Sequence, residues 1–250
     1  GGIGYGISDY RHTTAQLSAP GSALSERHLG RLNFTNPLVD TGPTGGTSKA
    51  LTDLRRSVAR SIVQLERTDP AMHIAVYYQD LGSNDWFGIA ETESFMPASL
   101  MKVLLMMIYY KLAEYNSGVL SATIEYQGQY AELANLPPAQ RLALDEPYTI
   151  DELIEHMIVH SDNEATRILA GYLSEHIPPK TNERVMNDIS QLVPFSLDLE
   201  DEFLVSARDF ASIFRVLYNA TYLSEERSEQ ALRLLSRSSY DSGIVSGLPE

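Results

Sequence analysis

Residues 97–110 read PASLMKVLLMMIYY, and this stretch decides how the rest of the chain is interpreted. From Val103 to Tyr110 every side chain is apolar or aromatic, and a helix that is apolar on all sides is buried. Lys102 is the only charged residue between Leu100 and Tyr110. Because burial disfavours the ammonium form, we expect a lowered pKa at Lys102 and an amine that can act as a base near neutral pH.

Ser99 stands three residues before Lys102, so a helix places both side chains on one face. At the start of a helix, the dipole and the backbone N–H groups favour negative charge developing on the serine oxygen. The pair therefore predicts a nucleophile one helical turn from its activating base. The alternative is an N-cap serine followed by a lysine that reaches solvent, since a Ser-x-x-Lys match arises by chance about once in a chain this long.

The second stretch of interest, residues 160–163, reads HSDN and lies where two predicted helices meet. Ser161 and Glu164 have the spacing of a capping box for the second helix, and capping is a sufficient explanation when the stretch is taken alone. As a specified tripeptide, Ser-Asp-Asn is expected by chance in roughly a few per cent of such chains. It therefore carries most weight in combination with the Ser-x-x-Lys motif.

Taken together, a Ser-x-x-Lys motif that opens a buried helix and a later Ser-Asp-Asn in a loop between helices resemble the active site of class A serine β-lactamases and their penicillin-binding relatives. Residues 206–211 and 243–249 also resemble that family, as the helix after its omega loop and the approach to its next strand. The resemblance extends from about Leu51 to Glu250. It implies an α+β fold, in which an antiparallel sheet packed by helices lies beside an all-helical lobe over residues 115–223 and the site occupies the cleft between them.

The resemblance also implies a role in acyl transfer for each motif residue. Ser99 would attack the substrate carbonyl and become acylated, and Lys102 would take its proton. Ser161 would relay a proton to the departing nitrogen, while Asn163 would hold the substrate amide and Lys102. Asp162 would brace its loop, and the N–H of Ser99 would be one oxyanion donor. No cofactor and no metal is implied.

Three functional classes fit this resemblance. The first is a serine hydrolase of β-lactamase type that turns over β-lactam amides through an acyl-enzyme on Ser99. The second is a D-alanyl peptidase or penicillin-binding protein that acylates but deacylates slowly, and the third is a non-catalytic binding relative. The intact Ser99, Lys102, Ser161 and Asn163 argue against the third class. The resemblance further implies a small-molecule substrate, either a β-lactam or a D-alanyl peptide, and a periplasmic or extracellular location.

Two features depart from the family pattern. The family's Lys-Thr-Gly motif lies on a strand beyond the Gly-Leu-Pro at residues 247–249, and none of the four lysines of this chain begins such a motif. The Glu-x-x-Leu-Asn pattern of the omega loop, whose glutamate drives deacylation, is also missing. Slow deacylation is therefore expected. Acidic residues do occur near the expected place, although an acidic run is usually a solvated face: Asp198, Glu200, Asp201 and Glu202.

Residues 1–47 differ in composition from the remainder and hold nine of the sixteen glycines. We interpret them as a flexible N-terminal arm or linker, within which residues 32–39 could pack on the domain as an extended segment. Residues 48–250 are then a catalytic domain, which the resemblance implies is incomplete at the C-terminus because three strands and a closing helix are missing. We expect an unpaired sheet edge beside Ser99, unless a second chain or a continuation of this one supplies those strands.

Composition sets several other functions aside. Hydrophobic residues make up 43% of the 250, which is enough for a buried core. A formal net charge of −14 would repel phosphate backbones and anionic lipid surfaces, so nucleic-acid binding is not expected. The sequence contains no run of about eighteen uncharged apolar residues, so no membrane span is predicted. The chain has no cysteine, which excludes disulfides, cysteine nucleophiles and cysteine-ligated zinc.

The remaining periodicities predict the order of the elements. Apolar residues on one face indicate a first helix that begins near Ser48: Leu51, Leu54, Val58, Ile62 and Leu65. Strands are predicted over residues 73–81, 86–90 and 243–248. Further helices are predicted over residues 99–115, 150–158, 164–173, 207–217 and 225–235. Thr149 and Glu152 fit a capping box at the start of the second of these helices, and Ser206 can cap the fourth.

Overall fold

The computed structural model describes residues 34–36, 48–192, 204–240 and 245–247, which all lie within one unit of contacts, Phe34–Glu250. The longer helices of the described residues are α1 (Lys49–Thr68), α2 (Met101–Tyr115), α3 (Ile150–Val159), α4 (Asn163–His176), α5 (Pro179–Leu192), α6 (Ala207–Tyr218) and α7 (Glu225–Leu235). The strands are β1 (Val76–Gln79), β2 (Trp86–Ile89), β3 (Ser94–Phe95), β4 (Thr123–Tyr126), β5 (Glu146–Thr149) and β6 (Val205–Ser206). A helix and a hairpin therefore come first and a mainly helical part follows, as predicted.

The first part of the domain is the predicted helix followed by the predicted hairpin. α1 begins after Ser48, whose Oγ accepts a hydrogen bond from the N–H of Leu51 at 3.2 Å. β1 and β2 pair antiparallel, with Val76 opposite Ile89. Among the described strands β1 pairs with β2 alone, so the other edge of β1 has no described neighbour.

Only part of the predicted apolar face of α1 is buried. Leu51 and Ile62 are buried, whereas Leu54 and Leu65 remain exposed. The helix packs on β2, which belongs to a sheet of only two described strands, and so narrow a surface covers a short stretch of the helix. The apolar spacing therefore predicts the helix correctly but overestimates how much of its face is covered.

α2 is the buried centre of the helical part, as its uniformly apolar sequence predicts. Met106 and Tyr109 have no exposed surface, and α3, α5 and α7 all pack against this helix. The hydroxyl of Tyr109 donates a hydrogen bond to the carbonyl of Leu169 at 2.6 Å, which joins α2 to α4. No helix in the described parts of the chain is both long and apolar enough to cross a membrane.

Capping side chains fix the beginnings of the later helices. Thr149 and Glu152 form the predicted capping box at the start of α3, in which each side chain accepts a hydrogen bond from the other residue's N–H. Ser206 caps α6, because its Oγ accepts a hydrogen bond from the N–H of Asp209 at 3.0 Å. α7 has the bounds that the sequence predicts.

Two short strand pairs were not predicted: one lies within the helical part, and the other joins β3, ahead of α2, to β6, ahead of α6. β4 pairs antiparallel with β5, and β3 pairs with β6. β5 contains Pro147, a residue that is confined to sheet edges and therefore argues against a strand when only the sequence is seen. The β4–β5 pair is joined to the start of α4, because the Tyr126 hydroxyl donates a hydrogen bond to the buried carboxylate of Glu164.

The structure adds one helix and changes one predicted strand. α5 was not predicted, although Pro179 at its first position suits a helix start and Val185 and Ile189 are buried. The strand expected over residues 243–248 is wrong for its described part, because Val245–Gly247 forms a 3-10 turn. No described strand lies alongside this turn to supply ladder hydrogen bonds.

Residues 34–36 lie against the helical part. The N–H groups of Phe34 and Thr35 donate hydrogen bonds to the Glu229 carboxylate at 2.9 and 3.1 Å, and the N–H of Asn36 donates to the carbonyl of Tyr218 at 2.7 Å. These contacts agree with the interpretation of residues 32–39 as an extended segment on the domain. The rest of that segment, like the remainder of the N-terminal arm, lies outside the described residues.

Candidate active site

Ser99 lies in the 3-10 turn Ala98–Leu100, which leads directly into α2. The N–H of Leu100 donates to the carbonyl of Pro97 at 2.9 Å, and Ala98 has a left-handed backbone with φ of 46°. Such a conformation costs a residue other than glycine about 1–3 kcal/mol and is concentrated at functional sites. Ser99 is an exposed residue.

Lys102 lies in the first turn of α2 and is 7% exposed. Its Nζ donates three hydrogen bonds: to the carbonyl oxygen of Ser161 at 2.6 Å, to the Oγ of Ser161 at 3.0 Å and to the Oδ1 of Asn163 at 2.8 Å. The structure thus brings together three of the four residues that the two motifs single out. We name these three hydrogen bonds the Lys102 clamp.

Two opposing effects set the pKa of Lys102. Burial of the amine lowers this pKa below its usual range, while the negative charge of Asp162 raises it and so opposes part of the shift. The direction agrees with the expectation from the apolar helix. A lysine with a lowered pKa has a larger neutral fraction near neutral pH, which is what a general base requires.

The loop that carries Ser161 is held by its neighbour Asp162. Asp162, not Ser161, is the N-cap of α4, since its Oδ1 accepts hydrogen bonds from the N–H groups of Glu164 and Ala165. The capping interpretation therefore does not account for Ser161, whose backbone is left-handed with φ of 55°. In this conformation both the carbonyl and the hydroxyl of Ser161 contact the Lys102 amine.

Asn135 is a site residue that sequence reasoning missed. Its Nδ2 donates to the carbonyl of Ser161 at 3.0 Å, and its Oδ1 accepts from the N–H of Asn163 at 2.9 Å. The side chain thus bridges both ends of the Ser-Asp-Asn tripeptide. It lies 26 residues before Ser161 in an irregular stretch, and no spacing rule links two loops that only tertiary packing brings together.

A cavity of about 670 Å³ opens beside Ser99 and Lys102. α2, α4 and α5 supply most of its wall, and the lining is mainly apolar: Met101, Leu104, Leu105, Ile108, Ala170, Leu173, Met186 and Ile189. Asn163 lines the same cavity. Among the described residues that line it, Lys102 is the only ionisable one. The volume falls in the range typical of small-molecule sites.

Other parts of the predicted site fall outside the described residues. They include the four acidic residues considered as a deacylating base, Asp198, Glu200, Asp201 and Glu202. The described residues therefore contain the predicted nucleophile, base, relay and amide-binding residue, whose catalytic roles remain predictions.

Comparison with solved structures identifies the fold. A crystal structure of a halotolerant bacterial β-lactamase superposes with a TM-score of 0.59 at 22% identity, covering 76% of this chain and 74% of that chain. A variant of the last common ancestor of Gram-negative bacteria β-lactamase class A superposes with a TM-score of 0.63 at 22% identity, covering 77% and 74%. The fold is therefore of the class A β-lactamase type, a mixture of helices and short antiparallel sheets.

The sequence comparison gives the family. The family model described as "Beta-lactamase enzyme family" matches residues 56–250, a stretch that makes up most of the chain and contains both motifs. No curated protein matches the chain. The chain belongs to the β-lactamase enzyme family, and it is a β-lactamase-like hydrolase by that membership.

Proposed function

We propose that this chain opens β-lactam amides through an acyl-enzyme on Ser99. The Oγ of Ser99 forms a bond to the lactam carbonyl carbon while its proton passes to the Nζ of Lys102. The carbon–nitrogen bond then breaks, and Ser161 gives its hydroxyl proton to the departing nitrogen and regains one from Lys102. Water later cleaves the ester and restores Ser99. The N–H of Ser99 donates to the oxyanion.

The observation that carries this proposal is the Lys102 clamp, a buried amine held at three acceptors one turn after an exposed serine. Buried lysines are rare unless they serve a purpose, and their charge is costly to keep away from water. The 3.0 Å contact between the Ser161 hydroxyl and Nζ supports Ser161 as the proton relay.

The number of hydrogen bonds also distinguishes the protonated from the neutral state of the Lys102 amine. The three acceptors of the clamp match the three donors of an ammonium. A neutral amine keeps two donors and gains a lone pair, so it can release one acceptor and accept a proton from Ser99. The lowered pKa of Lys102, which burial causes, enlarges the neutral fraction that can make this exchange.

Asn163 is proposed to contact both the base and the substrate. Its Oδ1 accepts a hydrogen bond from Lys102 at 2.8 Å, and its NH₂ group can donate a hydrogen bond to a substrate carbonyl. The adjacent cavity is large enough for a small amide, and its mainly apolar lining would shield the apolar groups of that substrate from water. A D-alanyl peptide presents the same carbonyl and is the alternative substrate.

Slow deacylation is the second candidate behaviour, that of a penicillin-binding protein. It is supported by the missing Glu-x-x-Leu-Asn pattern and by the absence of any carboxylate among the described residues that line the cavity. Hydrolysis of the ester needs a base for the attacking water. With Lys102 as the only ionisable lining residue in the described chain, we expect acylation to outrun hydrolysis.

The acylation site is tested with a fluorescent penicillin. The full chain is incubated with the probe, and the labelled peptide is mapped by mass spectrometry. We expect the label on Ser99 and none on the Ser99→Ala variant. Ser117, which begins another 3-10 turn near the far end of α2, provides a matched control, and Ser117→Ala should label as the unmodified chain does. A stable label on another serine, or equal labelling of Ser99→Ala, would refute the assignment.

Turnover separates the two candidate behaviours. Slow deacylation predicts a burst of product followed by a low steady rate, because the acyl-enzyme accumulates. Fast steady hydrolysis without a burst would contradict it and would point to a base among Asp198, Glu200, Asp201 and Glu202.

We also propose that residues 48–250 form the catalytic domain and that the protein acts in the periplasm or outside the cell, as the family membership supports.

A further inference from the structure

Asp162 lies between the two residues that hold Lys102 and is completely buried. Its Oδ1 caps α4 by accepting hydrogen bonds from the N–H groups of Glu164 and Ala165 at 2.8 and 3.2 Å. Its Oδ2 has no hydrogen-bond partner within the described part of the chain. A buried carboxylate oxygen without a partner is costly, so the group that faces Oδ2 has a strong effect on this loop.

His156 faces this oxygen from the last turn of α3. Its Nδ1 lies 3.6 Å from Oδ2 of Asp162 and, among the described residues, also makes no hydrogen bond. The His156 carbonyl accepts from the N–H groups of His160 at 3.1 Å and Asp162 at 3.5 Å. His156 is therefore next to the loop through both its backbone and its ring.

The other groups around the ring leave Asp162 as its counter-ion. Tyr148 from β5 and His160 contact the His156 ring edge-on, at centroid distances of 6.1 and 5.6 Å. Glu152, one turn earlier on α3, also interacts with His156, but its carboxylate already accepts hydrogen bonds from the cap of that helix. From α2 the charged group is Lys102, which interacts with Asp162.

We propose that His156 is a positioning residue for acyl transfer: its protonated ring pairs with Asp162, holds the Ser161–Asn163 loop on Lys102 and offsets the charge of Asp162. This inference rests on the function proposed above. His156 is not among the residues that line the cavity, so it acts through Asp162. A distance of 3.6 Å between Nδ1 and Oδ2 suits an ion pair between an imidazolium and a carboxylate.

The charge of the His156 ring also affects the pKa of Lys102, through the Asp162 carboxylate. Burial alone would raise the pKa of Asp162, but the His156 ring and the N–H groups of Ala165 and Glu164 outweigh it and hold this pKa below its usual range. The resulting carboxylate raises the pKa of Lys102. A positive ring beside the carboxylate cancels part of that effect. Loss of the ring therefore raises the pKa of Lys102 and reduces its neutral fraction.

The sign of the pH dependence follows from these charges. Acylation rises with pH as Lys102 loses its proton. The effect of the ring charge is therefore largest where most of Lys102 is still protonated, and it disappears once the amine is neutral. Replacement of His156 should therefore slow acylation about three- to tenfold near pH 6 and have little effect near pH 9. The rising limb of the pH–rate profile, where the acylation rate increases with pH, should move toward higher pH by up to about one unit.

The test measures the acylation rate of the full chain by a fluorescent penicillin from about pH 5.5 to 9.5 for the unmodified chain, His156→Phe and His156→Gln. Phe keeps a ring but loses both the charge and the donor, whereas Gln keeps an amide donor without charge. In both variants the rising limb of the pH–rate profile should lie at higher pH than in the unmodified chain. His176→Phe is the matched control, because that ring also contacts a tyrosine, Tyr172, at 4.4 Å. Its limb should not move.

The outcomes are distinguishable. If both His156 variants lower the rate by one constant factor at every pH, or leave it unchanged, His156 has only a packing role and the inference is wrong. If His156→Phe does not fold, judged by its melting curve, His156→Gln decides alone. Absence of label on Ser99 in the unmodified chain contradicts the proposed function, while labelling of Ser99 with an unmoved limb contradicts only this inference.

Discussion

The hairpin region, residues 48–95, and the helical lobe, residues 101–192 and 204–235, differ sharply in how completely their apolar side chains are covered. In the lobe, Leu153 and Met157 have no exposed surface, and α2 is surrounded by other helices. In the hairpin region, Leu65 is 48% exposed and Val63 is 47% exposed, and β1 has one described neighbour. A two-stranded sheet on its own is barely stable in water.

The difference shows which part of the chain determines the site. Lys102, Ser161, Asn163 and Asn135 all lie in the lobe, and every hydrogen bond of the Lys102 clamp is made within it. Ser99 lies at the junction of the two regions, in the turn that enters α2. The position of the base therefore depends on the lobe, and none of the described residues that line the cavity beside Ser99 belongs to the hairpin region.

Paired leucine truncations should give the largest contrast between the two regions. Leu153→Ala removes a fully buried side chain from α3 and should lower the free energy of unfolding by about 2–5 kcal/mol, since it leaves a cavity. Leu65→Ala on α1 removes a half-exposed side chain and should lower it by less than about 1 kcal/mol. Urea unfolding measures both. Equal losses would mean that α1 is covered as completely as α3.

The base should give the next largest effect. Lys102→Arg is expected to slow acylation by a factor of about a hundred or more, because a general base contributes that much and arginine stays protonated. In the unmodified chain the rate should rise with pH as the neutral fraction of Lys102 increases, and burial places this rise below the usual range of a lysine pKa. A stopped-flow pH profile measures both quantities.

A surface lysine provides the control for that experiment. Lys49, at the exposed start of α1, belongs to the hairpin region, and Lys49→Arg should leave the rate and its pH profile unchanged. If Lys102→Arg retained the profile of the unmodified chain, Lys102 would not be the base. If Lys102 titrated in the usual range of a lysine, the buried environment would not have the expected effect on its charge.

The parts of the lobe that the sequence predicts are those that local rules govern. The apolar run from Val103 to Tyr110 predicts burial because no orientation of such a helix exposes a polar face. The same run predicts the lowered pKa of Lys102. Thr149 and Ser206 were identified as caps because a cap depends on residues only two or three positions away.

The parts that sequence reasoning misses depend on distant residues. Asn135 contacts the Ser161–Asn163 loop only because the β4–β5 region folds back on α4, and no local pattern records that approach. His156 faces Asp162 because the chain turns back after α3, and no helix spacing rule pairs these two residues. Exposure of Leu65 likewise depends on how much sheet lies beneath α1.

Removal of the Asn135 side chain should have a smaller effect than loss of the base. Asn135→Ala deletes the hydrogen bonds to the Ser161 carbonyl and the Asn163 N–H, so the loop loses two supports. We expect acylation to slow about tenfold, since a net hydrogen bond contributes about 1 kcal/mol. Asn116→Ala, which removes the cap of the turn after α2, is the matched control and should leave acylation unchanged. Equal rates for the two variants would contradict a positioning role for Asn135.

The smallest contrast concerns two helix caps, one in each region. Ser206 is buried and accepts the N–H of Asp209 at 3.0 Å, so Ser206→Ala leaves that donor without a partner away from water and should cost about 1–2 kcal/mol. Ser48 is exposed and accepts the N–H of Leu51 at 3.2 Å. Water can replace its hydroxyl, so Ser48→Ala should cost only about 0.5 kcal/mol. Thermal unfolding of the full chain measures the two shifts. A larger loss for Ser48→Ala would reverse the comparison, because the hairpin region would then be the more tightly packed of the two.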